Sequence, residues 1–141
     1  MSTDENKALY RSFVEALNRG DIEAAGEFFA DDYVEHSAAP GLPPGAEGVK
    51  MVFRMFRVAF PDVHFTIDDL VAEGDRVATV VTGSGTHQGP FMGIEGTGRK
   101  ATWIAFGVNR YEGGKIREHW GLPDIMGIMR QIGPEPAAPP A

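Results

Sequence analysis

Apolar residues in the first half of the chain recur at intervals of three and four positions, the spacing that lines one face of a helix. This pattern predicts helices over residues 4–18, 22–29 and 46–60. Asp21 stands where an N-cap of the second helix belongs, because its carboxylate can accept hydrogen bonds from free backbone N–H groups. Pro61 is expected to end the third helix, since proline lacks a backbone donor and restricts the residue before it.

The second half alternates between apolar and polar residues and is rich in Val and Thr, which indicates β-strands. We predict strands over residues 63–71, 76–87, 100–111 and 115–120. Glycine-containing turns after the first and third of these strands favour hairpins. A short helix over 123–131 follows the last strand, with a proline that is acceptable in its first turn.

Three stretches lie outside this regular pattern. Residues 31–36 alternate briefly and predict a short strand, whereas 38–44 and 88–98 are rich in proline or glycine and predict loops. Helices therefore precede a run of hairpin-linked strands, which predicts the α+β class and a single domain over residues 1–133. Residues 134–141 include four prolines, and we expect them to form a disordered tail.

Composition narrows the function classes. The 141-residue chain has a formal net charge of −7 and no cysteine. The acidic excess argues against a nucleic-acid partner, because phosphate contacts require clustered Lys and Arg. The lack of cysteine excludes disulfides and a thiolate nucleophile and fits a reducing compartment. No apolar run approaches the roughly 18 residues that span a membrane. We therefore expect a cytoplasmic protein without a membrane partner.

Three motifs resemble those of one protein superfamily. Residues 9–21, LYRSFVEALNRGD, resemble the first helix pair of the cone-shaped nuclear-transport-factor-2-like (NTF2-like) superfamily. Residues 85–93, GTHQGPFMG, and residues 114–120, GKIREHW, resemble two motifs of the SnoaL-like polyketide cyclases, often labelled ester cyclases. The resemblance extends over nearly the whole chain.

This resemblance implies a cone: a strongly curved antiparallel sheet, three N-terminal helices over its concave face and a short C-terminal helix. It also implies a cofactor-free homodimer or homotetramer that closes a ring of a small hydrophobic carbonyl compound by intramolecular aldol condensation. By position in the family motifs, Asp124 would act as acid and base, assisted by His36 and His87. Two positions depart from the family. Gly107 stands where the family often has an acidic residue, and Asn109 stands where it often has an aromatic one.

The chemistry allows two interpretations of Asp124. Aldol condensation requires a base within hydrogen-bond reach of a carbon acid, and burial raises the pKa of a carboxyl group toward neutrality. Asp124 lies between Trp120 and the apolar pair Ile125 and Met126, so we expect it to be partly buried. The alternative is that Asp124 only caps the terminal helix.

Alternation along the last strand places Ile116, Glu118 and Trp120 on one face and leaves His119 on the other. If the first face lines the pocket, Glu118 is a second candidate carboxylate, and His119 lies outside the site. The alternative for Glu118 is a salt bridge to a basic residue of a neighbouring strand.

Aromatic, methionine and polar residues near the motifs are the candidates for substrate contact. They are Tyr33, Phe91, Met92, Trp103, Asn109, Glu118, Trp120 and Met126. For the apolar ones the alternative is core packing. The four histidines are far apart in sequence, so we expect no metal site. The same fold also allows an isomerase, a dehydratase, an epoxide hydrolase, a cofactor-free hydroxylase or a non-catalytic module that binds small molecules.

Overall fold

A computed structural model describes residues 1–133, and every helix and strand expected from the sequence is present there within a few residues of its expected bounds. The elements are α1 (Thr3–Asn18), α2 (Ile22–Gly26), β1 (Phe29–Glu35), α3 (Ala46–Ala59), β2 (His64–Glu73), β3 (Arg76–Thr86), β4 (Lys100–Glu112), β5 (Lys115–Pro123) and α4 (Ile125–Ile132). The tail expected over 134–141 lies outside the described residues. None of the described helices is both long and apolar enough to cross a membrane.

The ends of the helices follow local sequence signals. Ser2 and Glu5 form a reciprocal capping box at the start of α1, in which each side chain accepts the other residue's backbone N–H. Asp21 caps α2 as expected, since its Oδ1 accepts the N–H of Ala24 at 3.1 Å. Helix α3 ends at Ala59, two residues before the proline that was expected to stop it.

The five strands form one sheet in the order β1-β5-β4-β3-β2. Strands β2 to β5 are an antiparallel meander, as the hairpin signals indicate. Strand β1 instead lies parallel to β5, with Val34 opposite Glu118 and Glu35 opposite His119. The sequence pattern does not predict this pairing, which brings the segment before α3 beside the last strand.

The helices cover one face of the sheet, which we call the inner face; the opposite one is the outer face. Two apolar clusters occupy the inner face. The first joins α1 and α2 to the strands through Tyr10, Phe13, Val77, Tyr111 and Ile116, among others. The second joins the end of α3 to α4 through Phe56, Phe60, Trp103, Ile128 and Ile132, among others. On the outer face, large apolar side chains remain exposed, including the cross-strand pair Phe106 and Leu122.

Candidate active site

The inner face carries small and polar residues between the two apolar clusters. Along β4 its inner-face positions run from Trp103 in the second cluster through Ala105, Gly107 and Asn109 to Tyr111 in the first. Strand β4 therefore contributes no large apolar side chain to this middle stretch. The polar residues of its inner face are concentrated there.

A histidine paired with a glutamate lies at this stretch. The Nδ1 atom of His119, on β5, is 2.7 and 2.8 Å from the two carboxylate oxygens of Glu35, at the end of β1. The hydroxyl of Tyr33 donates to Oε2 of Glu35 at 2.9 Å. Burial, together with the neighbouring Glu35, raises the pKa of Tyr33, so this phenol stays protonated as a donor. Glu35 thus fixes one nitrogen of the imidazole and leaves Nε2 available.

Two glycines make room for the His119 ring. Gly107 and Gly121 are opposite each other on β4 and β5, on the inner face. A Cβ at Gly121 would lie 2.6 Å from Nε2 of His119, and one at Gly107 would lie 2.9 Å from the same atom. Any larger residue at either position would displace the ring. The side chains of His119 and Glu35 are only partly buried, so a small molecule can reach them.

Asn109 and Thr79 add polar groups beside the histidine. Asn109 is opposite His119 in the register of β4 and β5, and Thr79 is opposite Gly107 on β3. Directly opposite side chains on one face of a sheet have Cβ atoms about 5 Å apart. Tyr10 of α1 closes this end of the site; burial raises its pKa to about 12, and a hydrogen bond with Thr79 offsets part of that rise. The lining therefore offers several neutral hydrogen-bonding groups.

The expectation that Ile116, Glu118 and Trp120 share the pocket face is wrong. Ile116 is buried in the first cluster on the inner face, whereas Glu118 is opposite the outer-face residue Arg110. Between these two register pairs β5 advances two residues while β4 advances one, so β5 contains a bulge at Arg117. The extra residue reverses the alternation beyond it and turns His119 inward.

The outer face holds a second histidine–glutamate pair. Nε2 of His36 is 3.1 Å from Glu118, which also accepts a hydrogen bond from Arg110. The His36 ring stacks on Trp120, with centroids 4.5 Å apart and planes 4° apart, and the Arg76 guanidinium lies 5.0 Å from the centroid of the Trp120 ring. Glu118 therefore forms the salt bridge that was its alternative interpretation, and neither Glu118 nor Trp120 lines the inner face.

Asp124 is a helix cap, and the expectation of partial burial is wrong. Its Oδ1 accepts the N–H of Gly127 at 2.9 Å at the start of α4, and the residue is exposed. Met126, in the first turn of the same helix, is also exposed. The physical reason is that α4 turns its other face, with Ile128 and Ile132, into the second cluster. A catalytic role for Asp124 remains a prediction.

His87 holds the loop over residues 88–98. It is fully buried, its Nδ1 accepts the backbone N–H of Thr97 at 3.2 Å, and its backbone bonds to Arg99 and Gly98. An accepting Nδ1 requires the neutral ring with the proton on Nε2. A substrate cannot touch this fully buried imidazole, so the predicted catalytic role of His87 has no geometric support here.

The remaining predicted contact residues divide between core and surface. Tyr33 and Trp103 are buried on the inner face, the first beside Glu35 and the second in the second cluster. In the 88–98 loop, Phe91 packs against Phe56, whereas Met92 is exposed and has a left-handed backbone with a φ of 49°. Of these four, only Tyr33 contacts the His119–Glu35 pair.

Two surface grooves lie elsewhere on the molecule. One is bordered by α2, α3 and the β4–β5 hairpin, and its charged side chains pair with each other, as Lys50 does with Glu23 and Glu47. The other lies between α1 and β2. Neither contains the His119–Glu35 pair. Within residues 1–133, no three His, Asp or Glu side chains lie close enough together to hold a metal ion.

The family model described as SnoaL-like polyketide cyclase matches residues 7–132 of the chain. The aklanonic acid methyl ester cyclase DnrD of Streptomyces peucetius is 30% identical over 128 residues, which cover 89% of this chain and 88% of the relative. The nogalonic acid methyl ester cyclase of Streptomyces nogalater is 26% identical over 122 residues, covering 85% of this chain and 91% of the relative.

Solved structures share the fold. AclR, a candidate hydroxylase from Streptomyces galilaeus, superimposes with a TM-score of 0.86 at 30% identity and covers 98% of this chain and 87% of its own. IdmH, a candidate polyketide cyclase from Streptomyces antibioticus, has a TM-score of 0.78 at 34% identity and covers 89% and 96%. The expected NTF2-like α+β fold, with its curved sheet, is therefore confirmed.

Proposed function

Because the chain belongs to the SnoaL-like polyketide cyclase family, we propose that it catalyses a cofactor-independent ring closure on a small hydrophobic carbonyl compound. The reaction is an intramolecular aldol condensation or a related proton transfer. The observation that carries this proposal is the His119–Glu35 pair, which lies on the inner face between two apolar clusters. The apolar surroundings suit a flat, hydrophobic substrate, and the His119–Glu35 pair supplies a proton acceptor.

In this proposal Nε2 of His119 removes a proton from the carbon next to a carbonyl group. Glu35 orients the ring through Nδ1 and stabilises the imidazolium that forms. The resulting enolate attacks a second carbonyl of the same substrate, and the new alkoxide takes the proton back from Nε2. Positioned proton transfer of this kind contributes typically ~10²–10⁴-fold to a rate.

Asp124 is the competing candidate for the base, because the family resemblance assigns it that role. Replacing His119 with Gln removes the base, whereas Asp124→Asn removes a carboxylate but keeps a good N-cap, so α4 should remain intact. The methyl esters of aklanonic and nogalonic acid, which give two relatives their names, are the first substrates to test.

We expect His119→Gln to lower kcat/KM at least ~100-fold and Asp124→Asn to change it less than about threefold. Near-UV circular dichroism checks that both variants keep the fold. The reverse pattern, with Asp124→Asn inactive and His119→Gln active, would assign the proton transfer to Asp124. Full activity in both variants would rule out either residue as the base. His36 and His87 can be tested in the same assay, and we expect neither to act on the substrate directly.

A hydroxylation is the second candidate function. The observation in its favour is the likeness to AclR, whose structure superimposes on nearly the whole chain. Oxygen consumption during turnover distinguishes the two, because ring closure consumes none.

The outer face supports a proposal about assembly. Phe106 is 60% exposed and Leu122 71% exposed, and they are cross-strand neighbours on an open sheet. We expect this face to be covered in a homodimer or homotetramer. Light scattering should give a multiple of 15.3 kDa for the parent protein, and Phe106→Glu should lower it toward the monomer. A monomeric parent at high micromolar concentration would contradict the assembly. A cytoplasmic location is part of the same proposal.

A further inference from the structure

Asn109 presents a nearly buried amide on the inner face. The residue is 4% exposed, and no side-chain hydrogen bond joins its amide to another residue of the range 1–133, although the amide is not fully closed off from solvent. Such an amide can bond to a ligand, since buried amides are almost always hydrogen-bonded. The next inner-face residue along β4 is Tyr111, and its buried hydroxyl also lacks a partner within residues 1–133. Two successive positions on this face therefore hold unpaired polar groups.

The position of Asn109 relative to His119 is fixed by the sheet. The two residues are opposite each other in the β4–β5 register, so their side chains leave the sheet in parallel on the inner face. His119 is held at Nδ1 by Glu35, which keeps Nε2 free on the side of Gly107 and Gly121. A donor and a proton acceptor thus lie side by side, on strands that hold them rigidly.

We propose that the Asn109 amide binds the carbonyl oxygen of the substrate while His119 removes the proton from the adjacent carbon; this rests on the function proposed above. The C–H electron pair moves to form the enolate, the proton goes to Nε2 of His119, and the negative oxygen accepts a hydrogen bond from the Nδ2–H of Asn109. Hydrogen bonds to a developing oxyanion strengthen as charge appears, so Asn109 acts on the transition state. It would thereby select ketones over hydrocarbons of the same shape.

The test uses α-tetralone, a flat bicyclic ketone with exchangeable hydrogens next to its carbonyl, and tetralin, which has the same shape without the oxygen. Both are titrated into the parent protein and into Asn109→Leu and Asn109→Val, whose side chains have no hydrogen-bond donor. The preference for the ketone is the dissociation constant of tetralin divided by that of α-tetralone. We expect this ratio to fall by about fivefold or more in both variants. Thermal unfolding identifies any variant that fails to fold.

A second measurement distinguishes the role of Asn109 from the ring-closure function on which it rests. Deuterium exchange at the carbon next to the α-tetralone carbonyl reports proton removal, and we expect His119→Gln to abolish the protein-catalysed exchange and Asn109→Leu to slow it at least tenfold. An unchanged ketone preference in both Asn109 variants, or no binding of α-tetralone to the parent protein, would overturn the role of Asn109. A preference that depends on Asn109 without any catalysed exchange would instead leave the carbonyl site intact and reject the cyclase chemistry.

Discussion

Two histidine–glutamate pairs cross the same junction between β1 and β5, one on each face of the sheet. Glu35 and His36 are adjacent on one side of the junction, Glu118 and His119 are adjacent on the other, and each histidine bonds to the glutamate of the opposite segment. The residue types are the same, but His36 bonds through Nε2 and His119 through Nδ1, and the surroundings of the two pairs differ.

The outer pair is embedded in other charges and rings. Arg110 binds Glu118, and the His36 ring is stacked on Trp120, so both partners are already engaged. The inner pair has Tyr33 as its neighbour, glycines beside the ring and the unpartnered Asn109 opposite. The comparison shows that the surroundings make the inner pair the candidate base: its neighbours are hydrogen-bonding side chains, whereas a guanidinium and a stacked indole occupy the outer pair.

The largest difference between the two pairs is expected when the two glutamates are replaced in turn. Glu35→Gln removes the group that orients His119 and stabilises its protonated ring, so we expect kcat to fall roughly 100-fold. Glu118→Gln changes the outer pair and should leave kcat within about twofold. The measurement is steady-state kinetics of the parent protein and both variants at one pH. Equal effects of the two variants would show that the faces do not differ in function.

A smaller effect is expected from filling the space beside the inner ring. Gly121→Ala places a Cβ 2.6 Å from Nε2 of His119, so the ring must move, and we expect activity to fall about tenfold. Gly83→Ala is the matched control, because its Cβ would meet Trp103 at 2.5 Å in the second cluster, away from His119. Both variants should lose stability, by ~1–3 kcal/mol in urea titrations. Loss of activity in Gly83→Ala alone would contradict the position assigned to the site.

The smallest effect concerns stability at acid pH. Hydrogen bonds from Arg110 and then His36 hold the pKa of Glu118 below its ordinary value of 4.5. A carboxyl group whose pKa is lowered by folding stabilises the protein above its unfolded pKa, and the contribution is lost as the pH falls through the folded value. We therefore expect the parent protein to have a slightly higher Tm than Glu118→Gln near neutral pH, with the difference vanishing well below pH 4.5. A difference that persists at acid pH would point to lost packing rather than lost charge.

Much of the fold could be predicted from local patterns. The helical spacing around Phe13, the hairpin turn at Gly113 and Gly114, and Pro61 as a stop each act over a few residues, and the structure confirms all three elements. The candidate site could be predicted only in part. Tyr33 and Asn109 were expected to contact substrate and do lie on the inner face at the His119–Glu35 pair.

The rest depended on contacts between distant segments. No motif assigns a role to Glu35, and strict alternation predicts His119 outside the site, because the bulge in β5 leaves no mark on the sequence pattern. The one local signal was the Glu-His dipeptide, which occurs at Glu35–His36 and again at Glu118–His119. The histidine of each dipeptide can bond to the glutamate of the other only if their strands are neighbours. A repeated dipeptide in the sequence does not show that two strands are neighbours.

The order of the elements, the α+β class and the family are specified by short stretches of chain, because periodicity, turn residues and motifs are local. Contacts between distant segments determine which faces are covered, the pairing of β1 with β5, and the extra residue in β5 that turns His119 inward and Glu118 outward. The physical reason is that a side chain's face in a sheet depends on the register of its neighbours, and a single-residue bulge reverses it without altering the local pattern.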